Sequence, residues 1–205
     1  KPDIEADKWR SALFEVCLLS SYLPRMTQNP VLTDLTALRL HRARANAGGM
    51  FLHQTAADEV EDRLQLVKKP FSKMGLITGF ADFWESRLPN MTALADDDTL
   101  AVEPASYDLL VHAMALHWAN DPVGQLIQCR RALRPDGLFV SVAFGGQTLH
   151  ELRACLGQAE ANVTGGMSPR IAPMAELRDM GALLQRAGFA LPVADSLPLT
   201  VEYDD

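Results

Sequence analysis

His117 and Trp118 are adjacent side chains able to do chemistry: the imidazole can transfer a proton and the indole can stack on a substrate. They follow Tyr107-Asp108-Leu109-Leu110-Val111-His112-Ala113-Met114, a run apolar enough for a central strand. Doubly wound sheets bind ligands at the carboxyl ends of their strands, and this spacing puts both rings on the loop above such an end. The same pair also suits the packing of an ordinary turn. Three consecutive carboxylates, Asp96-Asp97-Asp98, are a second candidate group and read equally well as a solvated acidic turn. Arg170, after Ser168-Pro169, carries the planar fork that clamps anions, although an arginine on the surface commonly does no more than face water.

The elements that must position these groups follow from hydrophobic period and turn chemistry. Met74-Gly75-Leu76-Ile77-Thr78-Gly79-Phe80 is a short apolar run closed by a glycine, which predicts a buried strand ending in a turn, and 82–88 predicts a short helix. Weaker strands are expected at 91–95 and 100–102, on either side of the acidic turn. After the strand at 107–114, Asp121-Pro122 supplies an N-cap and a first-turn proline, and Val123, Leu126, Ile127, Arg130 and Leu133 continue at helical spacing. Arg134-Pro135-Asp136-Gly137 reads as a turn, and Leu138 to Phe144 as a further buried strand. Strand, helix, turn and strand make the βαβ unit of a parallel sheet. Helices are expected at 148–161 and 174–186, and Phe189 to Tyr203, broken by Pro192 and Pro198, reads as one or two edge strands.

Upstream, Phe51, Leu52, Ala56, Val60, Leu64 and Val67 recur at steps of three and four, the mark of an amphipathic helix docked on a core. Before it, 34–47 is basic, with Arg39, His41, Arg42 and Arg44 expected on a solvated helix face or on an arm that docks a partner. Residues 1–33 differ from the rest and are expected to form an N-terminal extension to a domain spanning 34–205.

The 205 residues, 48% of them hydrophobic, suffice for one domain with its own core. A net charge of −7 argues against a nucleic-acid partner, since a phosphate backbone is bound by clustered lysine and arginine. Cys17, Cys129 and Cys155 are widely spaced and lack C-x-x-C spacing, so no metal site is expected and a reducing, cytoplasmic setting fits. The stretch 12–23 holds about half of the roughly 20 apolar residues that a membrane-spanning helix needs, and Glu15 interrupts it.

The segments Ala115-Leu116-His117-Trp118-Ala119-Asn120-Asp121 and Arg131-Ala132-Leu133-Arg134-Pro135-Asp136-Gly137-Leu138 resemble the second half of the class I S-adenosylmethionine (SAM) methyltransferases. Phe144-Gly145-Gly146-Gln147-Thr148-Leu149, Gly165-Gly166-Met167-Ser168-Pro169-Arg170 and Leu184-Gln185-Arg186-Ala187-Gly188-Phe189 look like the branch holding BioC-like enzymes and a methyltransferase-like assembly factor of respiratory complex I. The resemblance covers residues 35–203 and implies an α/β, doubly wound, mostly parallel sheet of Rossmann-like class I methyltransferase type. With the chain stopping at Asp205, the last strand of that fold is expected to be missing, leaving an edge open to pairing with another copy.

The resemblance also implies site residues. The family's G-x-G-x-G cofactor loop is reduced here to Gly75 and Gly79 around Leu-Ile-Thr, with Thr78 beside them. Asp96 and Asp97 would hold the cofactor's ribose hydroxyls, and Ala113 and Met114 would line the cofactor. His117 would stand near the acceptor, with Trp118 and Arg170 on the substrate side. The implied function is SAM-dependent methyl transfer to a small molecule or a protein side chain. The alternative is a non-methylating assembly factor for a respiratory NADH dehydrogenase, acting through protein contacts or by hydroxylating a partner arginine.

Overall fold

A computed structural model describes residues 31–172 and 174–202, so the extension expected over 1–33 lies almost wholly outside the described residues. The order of elements is helix α1 (Leu35–Arg42), a 3-10 turn (Ala47–Gly49), α2 (Phe51–Leu66), strand β1 (Met74–Ile77), α3 (Ala81–Arg87), β2 (Thr92–Leu94), β3 (Tyr107–Ala113), a 3-10 turn (Leu116–Trp118), α4 (Pro122–Ala132), β4 (Leu133–Val142), α5 (His150–Thr164) and α6 (Leu177–Arg186).

The strands form one sheet in the order β2-β1-β3-β4 with every pairing parallel. Because side chains alternate along a strand, β3 divides its residues between two cores. Leu109, Val111 and Ala113 pack with Ala56, Ala57 and Val60 of α2 and with Trp84 of α3. Leu110 points the other way, toward Cys129 and Ala132 of α4. Helices on both faces of a parallel sheet make the doubly wound α/β fold, and β3 is its buried centre.

Local signals account for the boundaries. Asp121 caps α4 by accepting the Gly124 N–H at 2.8 Å, and Pro122 takes the first turn, where its missing N–H costs nothing. The expected turn at 134–137 instead sits inside β4: the register jumps from Tyr107↔Leu133 to Leu109↔Leu138, so these residues bulge out and Asp136 adopts φ 63°. Leu100–Val102 is not a strand; Leu100 is buried, with its N–H on Gln128 Oε1 at 2.8 Å. Helix α6 begins at Leu177 rather than 174. No strand forms between 189 and 202, where Phe189 stacks on Phe139 at 4.8 Å while Leu191 and Val193 face solvent. Among the described residues β4 is therefore an edge of the sheet.

Candidate functional site

The carboxyl ends of β1, β2 and β3 converge on one rim. Beyond β1, the Thr78 N–H donates to Leu94 O at 3.1 Å, extending the ladder to β2, and Thr78 Oγ1 accepts the Phe80 N–H at 3.2 Å. Gly79 lies between them. Two residues past β2, Asp96 meets Arg42 of α1 in a two-pronged ion pair, Nη1 to Oδ1 at 2.9 Å and Nη2 to Oδ2 at 2.7 Å. Both side chains are nearly enclosed, 11% and 13% exposed, so solvent screens this pair poorly. The guanidinium lies against Gly79: a Cβ there would stand 2.1 Å from Arg42 Cζ, so any larger residue would push the guanidinium aside. Arg42 Cζ is also 5.8 Å from the Phe80 ring centroid, within cation–π range. The neighbouring Arg39 to Asp97 pair, at 2.7 Å, is solvent-exposed.

Gln125 holds the acidic turn from below. Its Nε2 donates to the carbonyls of Asp97 at 2.9 Å and Asp96 at 3.3 Å, which leaves Oε1 to accept from His112 Nε2 at 3.0 Å. His112 is thus protonated on Nε2, and its buried Nδ1 has no partner among the described residues. Burial lowers its pKa to about 4. Gln128 binds the Asp98 carbonyl at 2.9 Å, so the turn is secured along its backbone.

Ala113 and Met114 close β3 as expected. Both are buried, and Met114 adopts φ 51°, turning the chain out of the strand toward His117. His117 Nδ1 accepts the Phe144 N–H over a long 3.4 Å, which puts its proton on Nε2, a buried atom without a partner among the described residues. Burial first, then the Arg42 charge, push its pKa to about 3. The ring is therefore neutral and presents a donor rather than a base to its surroundings. Trp118 lies 5.1 Å from it and Phe144 4.7 Å, centroid to centroid. His117, Phe144, Leu116, Met180 and Leu183 line an apolar cavity of about 90 Å³. Ligand pockets run to about 300–1,000 Å³, so this space takes at most a small group.

Two expectations need correction. Gly75 is not in a loop: it lies inside β1, where a Cβ would meet Leu110 Cδ2 at 2.7 Å and the Tyr107 ring at 2.8 Å, so its role is to make room for those side chains. Arg170 is not over the rim either. It pairs with Glu160 at 2.7 Å, and Ser168 binds the same carboxylate through its N–H at 2.9 Å, so the 165–170 loop folds back on α5. Those hydrogen bonds, from Ser168 first and then Arg170, hold Glu160 down to about 2. The rim brings together Thr78, Gly79, Asp96, Ala113 and Met114. The basic stretch was expected on a solvated face or partner-docking arm, but Arg42 is turned inward to the acidic turn. Arg42 and Gln125 were missed as site residues, since nothing local ties Arg42 to a carboxylate 54 positions away.

A family model described as a methyltransferase domain matches residues 17–141. Over 119 residues the chain is 41% identical to the arginine-hydroxylase NDUFAF5, mitochondrial, of Homo sapiens, a match covering 58% of this chain and 34% of that protein. Over 111 residues it is 37% identical to the malonyl-[acyl-carrier protein] O-methyltransferase of Laribacter hongkongensis, covering 54% of this chain and 35% of that one. The matched segment thus spans about a third of the length of these relatives. Among solved structures, a chain of the complex between the Haloferax volcanii Trm112 methyltransferase activator and a methyltransferase superposes with a TM-score of 0.51 at 14% identity, covering 73% of this chain and 75% of that one. That likeness concerns the fold, and it agrees with the parallel sheet built here. Matched by the family's model over more than half its length and folded as a doubly wound parallel sheet, the chain belongs to the methyltransferase domain family.

Proposed function

We propose that this chain is a SAM-binding methyltransferase-type domain acting on a small molecule or a protein side chain. The observation that supports this reading is the Asp96 carboxylate beside Gly79 at the carboxyl ends of β2 and β1. A carboxylate there can accept both hydrogens of a vicinal diol, and a glycine there lets the backbone approach a bulky ligand closely. The rim thus fits the cofactor chemically once the Arg42 guanidinium is moved aside. Asp96 would hold the ribose, Gly79 and Thr78 would face the cofactor's body, and Ala113 and Met114 would line it. SAM supplies the methyl group when bound.

What this chain contributes is alignment. Methyl transfer asks chiefly that nucleophile, methyl and sulfur be held in line. His117, neutral and carrying its proton on Nε2, can orient an acceptor by donating a hydrogen bond. Titrating the protein with SAM and with S-adenosylhomocysteine by calorimetry tests the reading. We expect binding that is lost in Asp96→Asn; no binding up to about millimolar cofactor, an affinity of only about −4 kcal/mol, sinks it.

A second reading is favoured by the identity to the relative named an arginine-hydroxylase. In that reading the chain is a non-methylating assembly factor for a respiratory NADH dehydrogenase, working by protein contacts or by arginine hydroxylation. Pull-down of respiratory subunits with a chain that fails to bind SAM would support it. Either role suits a reducing setting such as the cytoplasm: Cys129 is buried with its thiol pushed up to about 12, and Cys155 is free and exposed. Among the described residues no helix is long and apolar enough to cross a membrane.

A further inference from the structure

We propose that α1 is a hinged lid and that Arg42 is its plug, occupying the place on the rim that a cofactor diol must take. This rests on the cofactor reading above. Asp96 offers a single carboxylate, and both of its oxygens are engaged by Arg42. The guanidinium also covers Gly79, the position where the backbone is open to close approach. With Asp96 only 13% exposed and Gly79 covered, the Arg42 fork fills the space in which a diol on Asp96 would lie.

The lid is built to lift. Helix α1 has no fully buried residue: Leu35, Ala37 and Leu38 are half-buried, so little apolar surface holds it and polar contacts carry much of its attachment. At its leading end Asn120 forms a clasp: Oδ1 accepts the N–H groups of Leu32 and Thr33, each at 2.8 Å, and Nδ2 donates to Thr33 O at 3.2 Å. At its trailing end, Gly48 and Gly49 form a short 3-10 turn in which an added Cβ would meet nothing nearer than Asn46 Oδ1 at 3.4 Å. Hinges are short segments of this kind, able to absorb a change of backbone angle without moving the elements around them. Swinging about that turn removes Arg39 and Arg42 from the acidic turn while Gln125 and Gln128 keep the turn's backbone in place.

If the closed lid predominates, apparent cofactor affinity is reduced by the fraction of molecules that are open, and removing the plug restores it. The test is calorimetry with S-adenosylhomocysteine on the wild-type chain, Arg42→Ala and Asn120→Ala, with hydrogen exchange of the α1 amides followed in parallel. We expect Arg42→Ala to bind about tenfold or more tightly than wild type, and Asn120→Ala, which loosens the clasp but keeps both Arg42 and Asp96, to move in the same direction by a smaller factor. Added ligand should also reduce α1 protection in the wild type. Should Arg42→Ala fail to fold, Asn120→Ala and the exchange measurement decide alone. Equal affinities with unchanged α1 protection overturn the plug and leave the cofactor reading standing. No binding by any of the three chains overturns both.

Discussion

Acid should destabilise this protein well before its carboxylates titrate, because its buried imidazoles cannot take up protons. His112 falls from 6.5 to about 4, and His117 from 6.5 to about 3, both chiefly through burial. These folded values lie below the unfolded one, so the native state binds fewer protons than the unfolded state. Stability is then full above about pH 6.5 and is lost as the pH falls toward the folded values. Between about pH 7.5 and about pH 5 the unfolded chain gains nearly one proton at each residue and the folded chain almost none, which integrates to about 2 kcal/mol per histidine and about 4 kcal/mol for the pair. His53, lowered to about 4 by burial and then by Arg42, adds about 1 kcal/mol after discounting for its partial exposure. Against a typical total of about 5–15 kcal/mol this is a large share. Asp108, held near 2 by the Lys73 backbone N–H and then Arg134, and Glu160, also near 2, act in the lower window below the ordinary carboxylate range. Urea unfolding followed by tryptophan fluorescence at both pH values measures the loss. A difference below about 1 kcal/mol, or imidazole resonances of His112 and His117 titrating near 6.5, would refute the reasoning.

Three further outcomes follow from the packing. Gly75→Ala drives a methyl into Leu110 and Tyr107 and should cost about 2 kcal/mol, lowering Tm by about 4–8 °C in a thermal scan. Gln125→Ala strips His112 Nε2 and two carbonyls of their partner, costing about 1–3 kcal/mol by urea unfolding, and should weaken S-adenosylhomocysteine binding as the acidic turn loses its anchor. Arg170→Ala removes a pair whose arginine is exposed and leaves Glu160 bound to Ser168, so it should change stability by less than about 1 kcal/mol, with cofactor affinity unaltered.

The central βαβ unit was legible because each of its parts carries its own signal. Leu109 to Ala113 is an apolar run interrupted only by His112, and Asp121-Pro122 announces a helix start within two residues. The acidic rim and the β3 terminus could be placed for the same reason, since position after a strand is a local property. What could not be read depends on neighbours far along the chain. Gly75 and Gly79 look alike in sequence, yet one answers to the Tyr107 ring across the sheet and the other to the Arg42 guanidinium. Arg134-Pro135-Asp136-Gly137 has turn chemistry and does turn, but β3 recaptures the chain at Leu138 before the strand ends. The alternation after Phe189 predicted edge pairing, and Pro192 and Pro198 remove ladder donors from the stretch that would have paired.

The shallow footing of α1 has a consequence for the way this region evolves. A helix with no fully buried residue is under modest pressure from packing, so inheritance constrains it most through a few polar positions: the Asp34 cap, the Asn120 clasp and the Arg42 fork. Among descendants of a common ancestor the remaining positions should drift, whereas residues 42 and 96 should change together, an arginine being given up where the carboxylate is lost.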